Sequence, residues 1–436
     1  MRRWFALGVI CLVAMIGAAS QGLFSILLES VKADFALTDT EIGLINGLAI
    51  AVVGTIAAYP IGMAADRYGR RLVLGLSVIT WSAATMLMAL AETKTLFTIG
   101  AVGINLGDAA LIPLLYALVP TIFAGNERNR TIANAVLVTV LIIGSYTIYW
   151  LSGHALNALE ASRWLGLTPW RLLALGVAGA GGVITLALLV LPGKAPAAPA
   201  APPALVQPNL QIDGGNVAFL GFLRQHGLTI LLLYIGVSFF YVAWTSGILF
   251  WGPAILQRSY GLSAAAANIM LGSLTFASAA GLGAAFVLIA RFGKAWGAAA
   301  PVRLMILGCI FGLLPAAYMP FAPTADAFLY ALMAFSFCMT IPMAMAPALL
   351  QNCAPNRFRS QTIALFPIVV LWMRIAMPWG IGALSDRMAD VPHALLYINA
   401  GLLLVSLPPS IVILWLMLPR YRTLVEDVQR EDRRAV

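Results

Sequence analysis

Charge is what this chain has least of. Only 10% of its 436 residues are Asp, Glu, Lys or Arg, against about 25% in soluble globular domains. That scarcity excludes a water-facing surface of ordinary size. Histidine is almost missing: His154, His226 and His393 lie near the ends of apolar segments, and nothing groups them. The four cysteines, Cys11, Cys309, Cys338 and Cys353, are scattered, so no metal spacing or disulfide framework is visible. No Walker loop follows the glycines, which excludes transport powered by a phosphate-binding loop. Clustered nucleophiles, bases and oxyanion donors are absent too, so neither an enzyme nor a resident cofactor is expected. The net charge of +9 would suggest nucleic acid only if it formed a patch on a folded surface. Here the basic residues are divided among short loops, and no nucleic-acid partner is expected.

What fills the chain instead is apolar sequence, with 61% hydrophobic residues and a mean hydropathy of +0.92. Twelve apolar segments can be laid out, at roughly 5–28, 41–63, 71–91, 96–123, 132–156, 170–192, 227–256, 263–290, 302–320, 326–350, 361–385 and 393–418. Only helices and closed barrels satisfy their backbone in lipid. Barrel strands alternate, whereas these runs are apolar all round for about 20 residues, the helix length that crosses a hydrocarbon core of about 30 Å. The fold class expected is an all-α membrane protein of twelve transmembrane helices in two six-helix bundles. The run from Trp4 to Leu28 is too long for a signal-peptide core and is expected as a retained first helix. Thr40 reads as the N-cap of the second helix, with Glu41 in its first turn, and Ser360 as the start of the eleventh.

The loops are asymmetric. Placing the basic residues between these segments puts nineteen on one face and six on the other, with Arg374 left inside a span. The basic-rich face is cytoplasmic by the positive-inside rule. Both termini are then cytoplasmic, and a bacterial inner membrane is the expected location. Pro192 to Asn216 is rich in Pro and Ala without periodicity, which marks a linker. The expected organisation is a first bundle at 1–192, a cytoplasmic linker at 193–224, a second bundle at 225–419 and a cytoplasmic tail at 420–436.

One short loop is crowded with charge: Gly62-Met-Ala-Ala-Asp66-Arg67-Tyr-Gly69-Arg70-Arg71, between the second and third segments. It resembles the G-x-x-x-D-R-x-G-R-R signature of the major facilitator superfamily. After the eighth segment, Arg291-Phe-Gly293-Lys294 echoes it, with Ala290 where the first copy has Asp66. Internal repeats of this kind underlie many transporter folds, with the substrate site near the bilayer midplane. The resemblance implies a secondary transporter working by alternating access, with spans one, four, seven and ten lining the cavity. It also implies gating roles for Gly62, Asp66, Arg67, Gly69, Arg70 and Arg71. The loop aspartate would meet the N-terminal end of helix eleven and a cytoplasmic arginine, Arg128 or Arg130. An orientation signal without a gating role is the plainer alternative.

Within that superfamily the chain is most similar to the Spinster-like group. The likeness rests on Ser25 through Leu44 with Glu29, Lys32, Asp34, Asp39 and Glu41; on Gly107-Asp108 with Pro113 and Tyr116; and on Gly380 through Asp386. At three positions where that group usually carries an acid, an Arg and a Glu, this chain has Ser20, Ala101 and Asp108.

Asp108 is the main site candidate, because an ionised carboxylate at the centre of a bilayer costs several kcal/mol. It must face water, pair with a cation or bind a proton, and desolvation favours the proton. A structural carboxylate inside the first bundle is the alternative. Asn105 lies one turn before it. Arg374, the basic residue deep in a span, could bind an anionic group or pair with Asp108, or it could snorkel. Gln21 reads as a cavity liner, and Glu29 as a solvated helix end or a mouth residue. Tyr234, Ser238, Tyr241 and Thr245 share one stripe of helix seven, suited to an amphipathic solute or to plain interhelical packing. Met339, Met343, Met345, Met373 and Met377 raise copper import as an alternative, since thioethers suit Cu(I), though Met also fills gaps. A membrane sensor that binds without moving its ligand is a further alternative. The partners expected are a small organic anion or amphipathic lipid-like solute, protons and membrane lipids, with the chain acting as a monomer.

Overall fold

The computed structural model describes residues 2–48, 53–109, 111–123, 127–160, 166–188, 215–355 and 358–434. The first half comprises α1 (Arg2–Ile26), α2 (Leu28–Phe35), α3 (Asp39–Leu48), α4 (Gly54–Tyr68), α5 (Arg70–Ala89), α6 (Lys94–Asp108), α7 (Leu111–Ile122), α8 (Glu127–Glu160) and α9 (Pro169–Ala187). The second half comprises α10 (Gly215–Val242), a π-helical turn (Ala243–Ile248), α11 (Leu249–Tyr260), α12 (Ala264–Gly272), α13 (Leu274–Trp296), α14 (Ala300–Tyr318), α15 (Ala325–Asn352), α16 (Arg359–Arg387) and α17 (Ala394–Arg434). Among the described residues, seven helical stretches are long and apolar enough to cross a bilayer, eight with the bent pair in α8. One of them, 264–321, carries two spans. The remaining apolar segments fall on α1, on α3 with α4 and on α6 with α7. The twelve-helix expectation holds, and the chain is an integral membrane protein.

Several spans are interrupted, and proline accounts for two of the breaks. Pro113 has no N–H for the carbonyl of Ala109, and α6 stops at Asp108. Pro253 likewise frees the carbonyl of Leu249, next to the π-helical turn, where Gly247 leaves helical geometry (φ −96, ψ −105).

The structure corrects three local expectations. Helix α3 is capped by Thr38 and not Thr40: the Thr38 N–H donates to Glu41 Oε2 at 2.8 Å and the Glu41 N–H to Thr38 Oγ1 at 3.1 Å, a reciprocal capping box. Helix α16 begins at Arg359, one residue before Ser360. The echo Arg291 to Lys294 is no loop; α13 runs through it, and the chain turns at Gly297, whose φ is +56. Of the expected linker, residues 193–214 lie outside the described residues, and 215–224 already belong to α10.

The chain divides into two compact units. The first is Met1–Pro203 with Phe250–Thr275 and Arg374–Ala394; the second is Ala204–Leu249, Phe276–Met373 and Leu395–Val436. The first unit therefore holds the six early spans plus the end of span seven, the first part of span eight and the last part of span eleven. Its core packs Ile10, Leu74, Val78, Trp81, Leu115 and Leu137, all at most 1% exposed. In the second unit, Trp244 packs on Phe335 with centroids 5.3 Å apart, and the Ser278 and Ser336 hydroxyls bond at 2.8 Å. The last turns of α17 bury Tyr421, Leu424, Val425 and Val428, a stripe at helical spacing, and the Tyr421 hydroxyl accepts from Asn352 Nδ2 at 3.4 Å.

Candidate functional site

Asp108 ends α6 about halfway along span four and is only 7% exposed. It lies beside span one: a Cβ added at Gly17 would come 3.9 Å from Asp108 Oδ1. Asn105, one turn earlier, donates from Nδ2 to the carbonyl of Ala101 at 3.1 Å. A cavity of about 600 Å³ runs along α4, α5 and α6, lined by Pro60, Tyr68, Leu72, Leu76, Ser77 and Gly107 among others. Its volume suits a small organic molecule. Its walls are mostly apolar, and it reaches Gly107, the residue next to Asp108. Arg374 belongs to the same unit and is half-buried in α16. Gln21 lies in α1, but its side chain is outside the described residues.

The helix-seven stripe lies in the second unit and divides into two kinds of residue. Tyr234 is fully buried, and its hydroxyl donates to the carbonyl of Thr362 at 2.9 Å. Ser238, also buried, donates to the Tyr234 carbonyl at 2.6 Å. Tyr241 and Thr245 are half-buried; Thr245 donates back to Tyr241 at 2.9 Å, and Tyr241 meets Phe366 edge-on. Met339, Met345 and Met373 are buried, and Met343 and Met377 half-buried.

At the signature loop, α4 and α5 are joined by Gly69 alone, at φ +98, a backbone state that favours glycine. Gly62 is helical. Arg67 is exposed and stacks over Tyr68 at 5.4 Å. Arg70, Arg71 and Arg130 are half-buried and engaged with neighbours. Arg70 and Arg71 open α5, where cations oppose the helix dipole. Local helix stability therefore does not explain them. The side chains of Asp66 and Arg128 lie outside the described residues.

The densest charge in the first unit lies elsewhere, at the end of the spans opposite this loop, and sequence reasoning passed over it. Its hub is Asp39, 2% exposed at the start of α3. Arg258, in the last turn of α11, grips both Asp39 oxygens, donating from Nη2 at 2.8 Å and from Nη1 at 2.5 Å. The same guanidinium donates to Glu29 Oε1 at 2.6 and 2.9 Å. Lys32 and Ser385 complete the ring around Asp39. Asp386, near the end of α16, accepts from the backbone N–H groups of Asp39 and Thr40 at 3.0 and 2.8 Å and from the Thr40 hydroxyl at 2.6 Å. A carboxylate at a helix N-terminus is favoured by the dipole and the unpaired N–H groups there. Burial alone would push the Asp39 carboxyl up; the hydrogen bonds and charge of Arg258, with Lys32 and Ser385, hold it down at about 2. Glu29, read from sequence as a solvated helix end or a mouth residue, is an ion-pair partner of Arg258. The signal available was the crowding of Glu29, Lys32, Asp34, Asp39 and Glu41 in one short connection.

Comparison with known proteins fits this architecture. The family profile described as Major Facilitator Superfamily matches residues 10–378. An "MFS-type efflux pump" of Mycolicibacterium smegmatis is 27% identical over 438 aligned positions, covering 99% of this chain and 96% of that protein. "Protein spinster homolog 1" of Xenopus tropicalis is 24% identical over 53% of this chain and 41% of its own length. The crystal structure of a bacterial homolog of the human lysosomal transporter Spinster, inward-facing and unoccupied, aligns with a TM-score of 0.74 at 18% identity, over 98% of both chains. With most of its length matched by that profile, this chain belongs to the major facilitator superfamily; it is similar to the spinster homolog over about half of its length and shares the fold of the bacterial Spinster homolog.

Proposed function

We propose that the chain is a proton-coupled carrier of an amphipathic organic solute or small organic anion, moved by alternating access. One observation carries this reading: a carboxylate only 7% exposed, midway along span four, whose chain neighbours Leu106 and Gly107 line a mostly apolar cavity of about 600 Å³. Charge in such a place is costly, whereas a protonated carboxyl is tolerated. A negatively charged head group can approach Asp108 only when that carboxyl is neutral, because like charges repel strongly in a low dielectric. Proton and anion then travel together, which is symport. The apolar tail or ring of the solute would lie along Tyr68, Leu72 and Leu76. The basic-rich signature end is the cytoplasmic face of a bacterial inner membrane, and a single chain suffices for activity. The "efflux pump" description of the Mycolicibacterium relative and the Spinster likeness support an organic solute over a metal ion.

The test uses purified protein in liposomes. A thermal-shift screen of small carboxylates and lysophospholipids first identifies the solute that stabilises the fold. A pH gradient should then drive its accumulation, and Asp108→Asn should abolish that drive while retaining solute exchange. Binding of the solute without exchange would make the protein a sensor.

A further inference from the structure

We propose that the corner between spans eight and nine binds one anionic phospholipid, its phosphate held among Arg291, Lys294 and Arg303 and its acyl chains laid along the two spans. The lipid is a resident ligand and not the cargo, so the site goes beyond the Asp108 reading and depends on neither the solute nor the coupling ion. Only the choice of leaflet, the cytoplasmic one, rests on the orientation proposed above.

Three observations carry it, all within the second unit. The first is charge without a counter-charge. Span eight continues through α13 to Trp296, and a short 3₁₀ turn, Gly297–Ala299, leads into α14 and span nine. Arg291 and Lys294, one turn apart on α13, are exposed, and Arg303 on α14 is half-buried. From Gly214 to Ala325 the chain has no Asp or Glu. Among the described residues none of the three cations pairs with a carboxylate. The tail acids Glu426, Asp427 and Asp432 are engaged by Arg430 and Arg359. The signature loop carries its own acid at Asp66, whereas its echo here has Ala290. Gathered cations of this kind repel one another and attract an anionic head group.

The second observation is an aromatic bridge that collects the guanidiniums. Arg291 Cζ lies 5.5 Å from the centre of the Phe292 ring, and Arg303 Cζ lies 5.7 Å from that of Trp296. Phe292 and Trp296 stack at 5.1 Å with 15° between their planes. Gly297, at φ +56, makes the turn that returns Arg303 to Trp296. Aromatic rings beside cations mark the head-group level of a bilayer. Stacking on a ring fixes a guanidinium plane and leaves its N–H groups for a phosphate.

The third is the apolar surface that begins at these cations. On α13, Arg291 heads an exposed stripe of Val287, Gly283 and Phe276. On α14, Arg303 heads another, of Leu307, Ile310, Phe311 and Leu314, all exposed. Both follow helical spacing. Two apolar stripes that start from one cationic corner match the two chains and single phosphate of a phospholipid.

The test uses the purified full chain, stripped of lipid in a neutral detergent. It reads the thermal midpoint against added dioleoyl phosphatidylglycerol. Orientation plays no part, so a wrong topology and a wrong site fail separately. We expect saturable stabilisation that phosphatidylcholine does not reproduce. Arg291→Gln/Lys294→Gln/Arg303→Gln should weaken the apparent affinity at least tenfold. Arg420→Gln/Arg422→Gln/Arg430→Gln removes the same net charge from exposed positions of α17 and should leave it within twofold. If the first triple variant fails to fold, Ala290→Asp replaces it. That position is exposed, every cation is kept, and a carboxylate one turn from Lys294 should weaken binding at least threefold. Parent-like affinity in these corner variants overturns the site. An equal loss in the α17 variant overturns it too, because bulk charge would then explain the binding. Equal stabilisation by phosphatidylcholine removes the anionic head group from the account. Equal stabilisation by glycerol phosphate makes the ligand a soluble anion and overturns the lipid.

Discussion

Asp39→Asn removes one charge at the hub and almost no volume, so its effect can be worked from the structure. A carboxyl held at about 2 in place of 3.8 favours the folded form with Asp39 ionised by about 2–3 kcal/mol, at 1.36 kcal/mol per pH unit. With the Asp39 side chain only 3% exposed, solvent screening removes little of this. The asparagine keeps one oxygen for Ser385, which lowers the expected cost to about 2 kcal/mol. That is a factor of about 30 in the ratio of folded to unfolded protein. The sign with pH is fixed by the direction of the shift. A depressed carboxyl contributes in full above its unfolded value of 3.8 and loses its contribution only as pH falls toward 2. The loss of thermal midpoint in purified Asp39→Asn relative to the parent should therefore be constant between pH 5 and 8. A loss that vanishes on going from pH 8 to pH 5 would mean that Asp39 titrates in that window, and would refute this reading of the ion pairs.

Other substitutions probe the remaining parts. Tyr234→Phe deletes the bond to the Thr362 carbonyl inside the second unit and should cost about 1–2 kcal/mol, read as a lowered thermal midpoint with solute exchange retained. Gly69→Ala places a Cβ at φ +98 and should cost about 1–2 kcal/mol, seen as reduced thermal stability and surface expression. Leu76→Trp fills the cavity lined by Leu106 and Gly107 and should weaken solute binding at least tenfold in a thermal-shift titration, with pH dependence unchanged.

The spans were legible because lipid imposes one simple demand, about 20 apolar residues in a row. Helix breaks were less so. Pro113 and Pro253 could be read as kinks, but the unwinding at Gly247 depends on what packs around it. The echo of the signature at Arg291 to Lys294 misled because composition resembles a loop even where the helix continues to Trp296. Asp108 stood out because a charge inside a hydrophobic run is costly anywhere. Asp39 did not, because a charge in a connection between spans is ordinary until Arg258, 219 residues away in sequence, is brought onto it. The hub consists of such long-range pairs, which one sequence read locally does not reveal.

The central claim is that Asp108 couples solute movement to protons. The direct measurement is uptake of the thermal-shift solute into liposomes under an imposed pH gradient, compared with its exchange at equal pH. The account predicts that Asp108→Asn exchanges solute at a rate comparable with the parent's but no longer accumulates it under the gradient. Gradient-driven accumulation equal to the parent's would contradict it.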